Sequence, residues 1–152
     1  MDQRKLIGVI GAGTCNQDTA LLAYQVGKKI AQAGYGLICG GHGGVMEAAC
    51  KGAFEAGGLT IGVLPGDSPD AANPFVSIKI VTGMGIARNA IIVRSSAVAI
   101  AIAGKAGTLS EIAFCVKLGV PVIGLRSFDV LPEIIQVETP TEAIEQLILL
   151  LS

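Results

Sequence analysis

Short apolar runs rich in valine and isoleucine alternate along the chain with longer segments that have the periodicity of a helix. The runs predict seven strands, at residues 6–10, 36–39, 60–64, 78–81, 98–102, 122–125 and 134–137. Because these runs lack polar alternation, we expect the strands to be buried on both faces of a sheet. Alternation of strands and helices is typical of repeated βαβ units. The pattern therefore predicts an α/β fold, a Rossmann-like doubly wound parallel sheet in a three-layer α/β/α sandwich.

The segments between the runs predict five helices, at residues 16–33, 45–56, 85–95, 111–118 and 141–151. A glycine directly follows three of them, as expected at a helix C-terminus: Gly34, Gly57 and Gly119. Capping boxes support three of the starts, because a threonine hydroxyl and a carboxyl or amide three residues later satisfy free backbone amides. The boxes pair Thr14 with Gln17, Thr108 with Glu111 and Thr139 with Glu142.

The last predicted helix carries apolar side chains on more than one face. Its large apolar residues are Ile144, Leu147, Ile148, Leu149, Leu150 and Leu151. A chain this small cannot bury apolar surface on every side of a helix. We therefore expect a homo-oligomer, a dimer or a tetramer, although a frayed apolar tail would give the same pattern.

Composition and charge limit the classes of function. The length favours one domain, residues 1–152, and the net charge of -1 arises from 11 basic and 12 acidic residues spread along the chain. Because nucleic-acid binders have a basic patch, we expect no nucleic-acid partner, and a distant likeness to Rossmann-like DNA-uptake proteins has little weight. The longest apolar run, residues 97–103, is far shorter than the ~20 residues of a membrane helix. We expect no membrane association and a cytoplasmic location.

The cysteines and the single histidine give little support for a metal site. No Cys-x-x-Cys pair occurs among Cys15, Cys39, Cys50 and Cys115, and one histidine makes a zinc cluster hard to complete. We therefore expect reduced, mostly buried thiols and no metal.

Glycine is the unusual residue of the composition, with 21 copies. Ten of them fall directly after predicted strands or at the helix starts that follow: Gly11, Gly13, Gly40, Gly41, Gly43, Gly44, Gly83, Gly85, Gly104 and Gly107. These points share the carboxyl edge of an open parallel sheet, where ligands bind at the switch of strand order. Backbone amides at helix N-termini form an anion site because they are unpaired and the helix dipole is positive there. The glycines therefore predict a phosphorylated small-molecule ligand.

The glycine clusters differ in how specific they are. Gly11 and Gly13 would complete the dinucleotide fingerprint with a third glycine at the position of Asn16, so they do not predict a standard NAD or FAD site, and tight turns explain them as well. Four glycines within residues 40–44 cost conformational entropy that a simple turn does not require. His42 lies among them, either as a phosphate contact or as a solvated loop residue.

Arg88 gives the electrostatic argument for an anion. If its helix starts near Gly85, Arg88 is a cation in the first turn, where the helix dipole disfavours positive charge by up to ~1 kcal/mol. A bound anion would offset that cost, whereas a solvated surface arginine is the alternative. The apolar stripe of this helix consists of Ile86, Ala90, Val93 and Ala97. Arg88 lies off this stripe and is free to face the carboxyl edge.

Residues 104–111, Gly-Lys-Ala-Gly-Thr-Leu-Ser-Glu, resemble the Pro-Gly-Gly-x-Gly-Thr-x-x-Glu motif of the LONELY GUY phosphoribohydrolases, formerly labelled lysine decarboxylases. The resemblance covers most of the chain, with a first strand ending in Gly-x-Gly, a Gly-Gly-x-Gly-Gly-Val-Met-Glu turn at residues 40–47 and an arginine helix before the motif strand. The same superfamily includes the molybdenum cofactor carrier proteins. The Gly-Ile-Ala-Arg-Asn segment at residues 85–89 and the short length are more similar to that branch.

The resemblance implies a protein that binds a phosphorylated heterocycle, either a nucleotide or the molybdenum cofactor as bound cargo, and that requires no cofactor of its own. The ligand-binding residues by position are Gly11, Gly13, Thr14, Gly41, His42, Gly43, Gly44, Arg88, Asn89, Gly104, Lys105, Ala106, Gly107 and Thr108. The alternative is a hydrolase that cleaves the N-glycosidic bond of nucleoside 5'-monophosphates, with Arg88 and Glu111 as catalytic residues. The carboxylate would stabilise an oxocarbenium-like transition state while the arginine holds the anion.

Departures from the hydrolase motif favour binding over catalysis. The proline of the motif is Ala103 here, its second glycine is Lys105, and the lysine that usually follows the arginine is Asn89. Lys105 adds a charge to the phosphate loop but takes space that glycine leaves for a ligand. The Thr108 capping box gives Glu111 a structural role that competes with a catalytic one. We therefore expect phosphate binding to be retained more readily than catalysis.

Overall fold

A computed structural model of the chain describes residues 3–152. Within them, seven strands alternate with five α-helices, and every predicted strand is present. The elements are β1 (Leu6–Gly11), α1 (Gln17–Gln32), β2 (Gly36–Cys39), α2 (Val45–Glu55), β3 (Thr60–Leu64), β4 (Ile78–Val81), α3 (Asn89–Ser95), β5 (Val98–Ile102), α4 (Ala106–Leu118), β6 (Val122–Leu125), β7 (Ile134–Val137) and α5 (Pro140–Leu151). Short 3₁₀ turns lie at Pro69–Ala71 and Gly85–Arg88.

The strands form one parallel sheet in the order β4-β3-β2-β1-β5-β6-β7. The chain builds outward from β1 to β4 and then crosses back to add β5 on the other side of β1. These two central strands pair from Ile7 opposite Val98 to Gly11 opposite Ile102. The predicted Rossmann-like, doubly wound sheet is confirmed, and its switch point lies at the carboxyl ends of β1 and β5.

Helices cover both faces of the sheet, as the three-layer prediction requires. Val98, Ile100 and Ile102 of β5 pack into a core shared with α1, α2 and α5. The alternate residues Ala99 and Ala101 pack into a second core with α3 and α4. Strands β2, β3, β5 and β6 are buried along their whole length because apolar helix faces cover them on both sides.

Strand β4 departs from the expected burial because it lies at the edge of the sheet. All four of its residues are exposed, and Ile78 is 46% exposed. β4 pairs with β3 on one side, and no other strand of residues 3–152 covers its second side. Lys79 places a charge on this edge, which discourages pairing with a further strand. The prediction of burial on both faces is wrong for β4, and it is wrong in part for β7 at the opposite edge, where Gln136 is exposed.

Two of the three predicted capping boxes are also wrong. Helix α1 is capped by Asn16, whose Oδ1 accepts a hydrogen bond from the Thr19 amide at 2.9 Å, and not by Thr14. Asparagine is at least as good a cap as threonine, and Asn16 directly precedes the first helical residue. Helix α4 begins at Ala106, and Thr108 lies buried inside its first turn. Only α5 has the predicted cap, in which the Glu142 amide donates to the Thr139 hydroxyl at 3.1 Å.

Residues 85–95 form a 3₁₀ turn followed by the short helix α3, not one continuous helix. The tighter winding of the 3₁₀ turn rotates its side chains relative to an α-helix. Ile86 is therefore 80% exposed and does not join the predicted apolar stripe. Arg88 lies directly before α3, at its N-terminal flank.

Helices α1 and α2 approach each other closely through two glycines. A Cβ added to Gly27 would lie 1.9 Å from the Ala49 carbonyl oxygen, and one added to Gly52 would lie 2.0 Å from the Tyr24 carbonyl oxygen. Both glycines are in helix interiors, where glycine is less favourable than alanine by about 1 kcal/mol. Close backbone packing explains why glycine occupies both positions.

Replacing Gly52 with alanine is therefore expected to destabilise the protein, although alanine is the better helix former. Overpacking at this contact should lower the free energy of unfolding by about 1–3 kcal/mol, measured by urea denaturation. Gly66→Ala is the matched control, because an added Cβ there meets nothing within 4 Å. Equal stabilities of Gly52→Ala and the wild type would contradict the packing argument.

The outer face of α5 bears on the predicted homo-oligomer. Leu147 is buried, whereas Leu149 is 66% exposed and Ile148 and Leu150 are also exposed. If this face contacts a second copy, sedimentation velocity will give the mass of a dimer or a tetramer. Leu149→Glu will then shift the equilibrium toward the monomer. Lys117→Glu, an exposed change on α4, should leave the mass unchanged. A monomeric wild type at micromolar concentration would contradict the prediction.

Candidate functional site

A cleft of about 460 Å³ opens at the carboxyl edge of the sheet, above the switch point. The loops after β1, β2 and β5 contribute its walls. The cleft is lined by Gly11, Ala12, Gly13, Thr14, His42, Lys105, Gly107, Thr108 and Glu111. Each of these residues except Ala12 is a site residue predicted from the sequence, and three loops that are distant along the chain meet there.

Backbone contacts hold the first two loops together. Gly44 has a φ of 61°, and a Cβ there would lie 2.4 Å from the Ala12 carbonyl oxygen. The same oxygen accepts a hydrogen bond from the Val45 amide at 3.1 Å. Gly43 is close to the neighbouring carbonyl, because its added Cβ would lie 3.3 Å from Gly13 O. The predicted ligand glycines Gly43 and Gly44 thus join the loops and do not line the cleft themselves.

The N-terminus of α4 projects free amides into the cleft. Its N-cap is Lys105, and no side chain within residues 3–152 caps the helix. The Leu109 amide is the first to bond back to Lys105 O, at 3.0 Å. The amides of residues 106–108 precede that bond and carry the positive end of the helix dipole. Because Gly107 and Thr108 line the cleft, this end of α4 has the features of an anion site.

The chain enters α4 through a strained turn. Ala103 has a φ of 47° and Gly104 a φ of 115°. The Ser127 hydroxyl donates to Ala103 O at 2.6 Å and so fixes this conformation. Proline cannot adopt a positive φ, because its ring holds φ near −65°. The proline of the hydrolase motif would therefore not fit at position 103.

Arg88 lies behind the glycine loop after β2. Its guanidinium is so close to the Gly40 backbone that an added Cβ there would lie 2.9 Å from Nη1. Nη1 donates a hydrogen bond to Asn89 Oδ1. The Nε atom is buried and has no hydrogen-bond partner among the residues that the structure describes. An unpartnered buried donor on a cation leaves capacity for an acceptor that carries negative charge.

Burial and the Arg88 charge set the protonation of the two titratable groups in the cleft. Burial raises the pKa of Glu111 from 4.5 to about 7, and attraction to Arg88 opposes the rise. Burial also lowers the pKa of His42, and repulsion from Arg88 lowers it further. His42 is therefore neutral at physiological pH, while Glu111 titrates there. Lys105 lines the cleft at the N-terminus of α4.

Several predicted residues lie beside the cleft. Gly41, with a φ of 76°, packs on Gly62 beneath the loop. Gly104 lines a smaller neighbouring cavity of about 220 Å³, and Asn89 lines an apolar cavity of about 430 Å³. Ala106 begins α4 without lining the cleft.

Sequence reasoning missed Asn73, which holds the loop after β2 in place. Its Nδ2 donates to His42 O at 2.8 Å, and its backbone amide donates to Gly41 O at 2.8 Å. Asn73 is buried, and its Oδ1 accepts from the Phe75 amide. It lies between β3 and β4 in a segment without hydrophobic periodicity, so no pattern in the sequence indicated its role.

Two other types of site are absent from the described part of the chain. No helix of residues 3–152 is long and apolar enough to cross a membrane. No cluster of three or more histidine, cysteine, aspartate and glutamate side chains in the same range has the arrangement of a metal site.

The fold and the cleft define a Rossmann-like α/β protein with glycine loops at the switch point of its sheet. The chain belongs to the SLOG cluster4 family, whose model matches residues 4–149. An uncharacterized protein of Archaeoglobus fulgidus is 49% identical to it over 138 residues, which is 91% of each chain.

Two solved structures are similar along nearly the whole chain. The molybdenum cofactor binding protein from the phototrophic bacterium Rippkaea orientalis has a TM-score of 0.94 and 39% identity, and 99% of each chain is covered. The molybdenum cofactor carrier protein of Chlamydomonas reinhardtii has a TM-score of 0.90 and 36% identity, covering 97% of this chain and 99% of that protein. The superfamily predicted from the glycine motifs, on its carrier-like branch, is confirmed.

Glu111→Gln is expected to change how stability depends on pH. The folded pKa of about 7 lies above the usual 4.5, so folded protein binds this proton more tightly than the unfolded chain. The stabilisation is complete below the unfolded pKa and is lost as the pH rises through the folded one. Between about pH 5 and pH 8, the wild type should lose up to about 3 kcal/mol of unfolding free energy relative to Glu111→Gln.

Urea denaturation at several pH values measures this difference. The control is Glu145→Gln, which removes an exposed carboxyl from α5 and should follow the wild type. A constant difference in unfolding free energy between Glu111→Gln and the wild type across the range would reject the raised pKa.

Proposed function

We propose that this protein binds a phosphorylated heterocyclic small molecule in the cleft and that the molybdenum cofactor is its cargo. The two solved structures described above are named as a molybdenum cofactor binding protein and a molybdenum cofactor carrier protein. The cofactor is a pterin with a phosphate, and it is bound here as cargo without turnover. A nucleotide is the other ligand of the same chemical class.

The uncapped N-terminus of α4 is the observation that carries the proposal. Its free amides, from residues 106–108, face a cleft whose rim includes the cation Lys105. Amides and ammonium together favour a phosphate over a neutral ligand. Helix α1 starts at the same edge, but Asn16 occupies its Thr19 amide and Asp18 places a negative charge in its first turn, which disfavours an anion. We therefore place the phosphate at α4.

The remaining lining fits the rest of such a ligand. Gly11, Gly13 and Thr14 offer a side of the cleft with little side-chain bulk, so a flat ring can lie close to the backbone. Behind the loop after β2, Arg88 adds a buried Nε–H that has no partner within residues 3–152. Asn89 orients the Arg88 guanidinium through their hydrogen bond and needs no contact of its own with the ligand.

Hydrolysis of nucleoside 5'-monophosphates is the second candidate. The observation in its favour is Glu111, a cleft carboxyl whose pKa is raised to about 7 by burial, against the attraction of Arg88. Such a group can exchange a proton at physiological pH. Against it stand the positive φ of Ala103, where the hydrolase motif has proline, and the side chain of Lys105, where that motif has glycine. Binding without turnover therefore accounts for more of the site.

The identity of the bound cargo can be measured in the purified protein. Protein from cells that make the cofactor should release a fluorescent pterin after oxidative denaturation and should contain molybdenum by mass spectrometry. Lys105→Gln should lower the retained pterin about tenfold or more, because a charged contact with phosphate contributes roughly 1.5–3 kcal/mol. Lys117→Gln, an exposed change on the same helix, is the control and should retain it.

Incubation with AMP separates the two candidates. We expect calorimetry to detect AMP binding or a bound pterin, and chromatography to detect no free adenine. Release of adenine that Glu111→Gln abolishes would favour the hydrolase instead. A protein that retains no pterin and binds neither AMP nor inorganic phosphate would contradict both.

A further inference from the structure

Two buried thiols meet directly behind the cleft. The Sγ atoms of Cys39 and Cys50 are 3.5 Å apart, and both residues are fully buried. Cys39 ends β2, immediately before the glycine loop, and Cys50 lies in the middle of α2. The other two cysteines are elsewhere, with Cys15 exposed and Cys115 in the core on the other face of the sheet. The binding role proposed above makes no use of this pair.

The thiol pair is connected to the loop that forms one wall of the cleft. The Gly41 amide donates a hydrogen bond to Cys39 Sγ at 3.3 Å, and this amide is buried. On the other side of the pair, the side chain of Asn73 lowers the pKa of Cys50. Asn73 also holds the carbonyl of His42, which lines the cleft. Cys39 Sγ thus contacts the backbone of the loop directly, through the Gly41 amide.

The two sulfurs are chemically different. The contact with Cys39 lowers the pKa of Cys50, whereas the contact with Cys50 and burial raise the pKa of Cys39. Cys50 therefore has more thiolate character and is the nucleophile of the pair. Cys39 is the resolving thiol, because it already lies in contact with Cys50.

We propose that Cys39 and Cys50 form a modification site for hydrogen peroxide, and that their oxidation to a disulfide weakens ligand binding. Cys50 Sγ attacks one peroxide oxygen, the O–O bond breaks, and the products are a sulfenic acid and water. Cys39 Sγ then displaces the hydroxyl from Cys50, which forms the S–S bond and releases a second water. The two thiols lose two electrons and two protons, and the peroxide takes up both.

The disulfide alters the support of the loop. The sulfurs must close from 3.5 Å to about 2.05 Å, which draws Cys39 Sγ away from the Gly41 amide. Gly41 already has a φ of 76°, so this conformation depends on the contacts around it. A buried amide without its acceptor drives the loop to rearrange. Because His42 lines the cleft, affinity for a phosphorylated ligand should fall by about tenfold, a consequence that rests on the proposed binding function.

The test uses the full chain with Cys15→Ser, so that the exposed thiol does not link two molecules. Peroxide treatment should reduce the free thiols per chain from three to one. Peptide mapping should identify a Cys39–Cys50 disulfide that dithiothreitol reverses. Hydrogen exchange at the Gly41 amide should become faster in the oxidised form, and the Kd for AMP in calorimetry should rise about tenfold.

Two variants separate the disulfide from general oxidation. Cys50→Ala keeps the contact of Cys39 with Gly41, and both its Gly41 exchange and its affinity for AMP should be unchanged by peroxide. Cys115→Ala removes a buried thiol from the other core and should respond like the parent. Three thiols that persist in peroxide, or a disulfide that leaves Gly41 exchange unaltered, would overturn the proposal. If the reduced protein binds no AMP, the nucleotide form of the binding function fails, while thiol counts and Gly41 exchange still decide the modification.

Discussion

The contact between the loops after β1 and β2 is the constraint on which the cleft depends. Gly44 brings its backbone against the Ala12 carbonyl, closer than any side chain would allow. The contact fixes where α2 begins, because the Val45 amide bonds the same oxygen. It also leaves the space above the β1–β5 switch point open, with α4 supplying the third wall. Sheet topology and glycine placement thus define the site together.

Most of the fold could be predicted from the sequence because its signals are strong and local. Unbroken apolar runs correctly predict every strand, and the glycines that follow them correctly predict which edge of the sheet carries the cleft. The exposure of β4 could not be predicted, since an edge strand is defined by its missing neighbour. The predictions of the α1 cap and of the α4 start were wrong for a different reason. Several polar or glycine residues in one short loop can each begin a helix.

The site was predictable residue by residue only where the chain carries a glycine motif. Asn73 could not be predicted from the sequence because its role depends on tertiary contacts with Gly41 and His42, which lie more than thirty positions away. The sequence argument for Arg88 rests on the dipole of a helix that begins near Gly85, but residues 85–88 form a 3₁₀ turn. The packing of the guanidinium against Gly40 is a better reason to expect an anion near Arg88. The charge of Arg88 also acts on both His42 and Glu111, so the protonation of the cleft is a collective property.

The positive φ of Ala103 bears on how the carrier-like and hydrolase branches of this superfamily diverged. A proline ring cannot close at this backbone angle, and the Ser127 hydroxyl holds the angle from the end of β6. Exchange of one residue in the glycine motif therefore cannot convert one kind of loop into the other. In this chain, the turn after β5 and its bond to Ser127 would both have to change before proline fits at position 103.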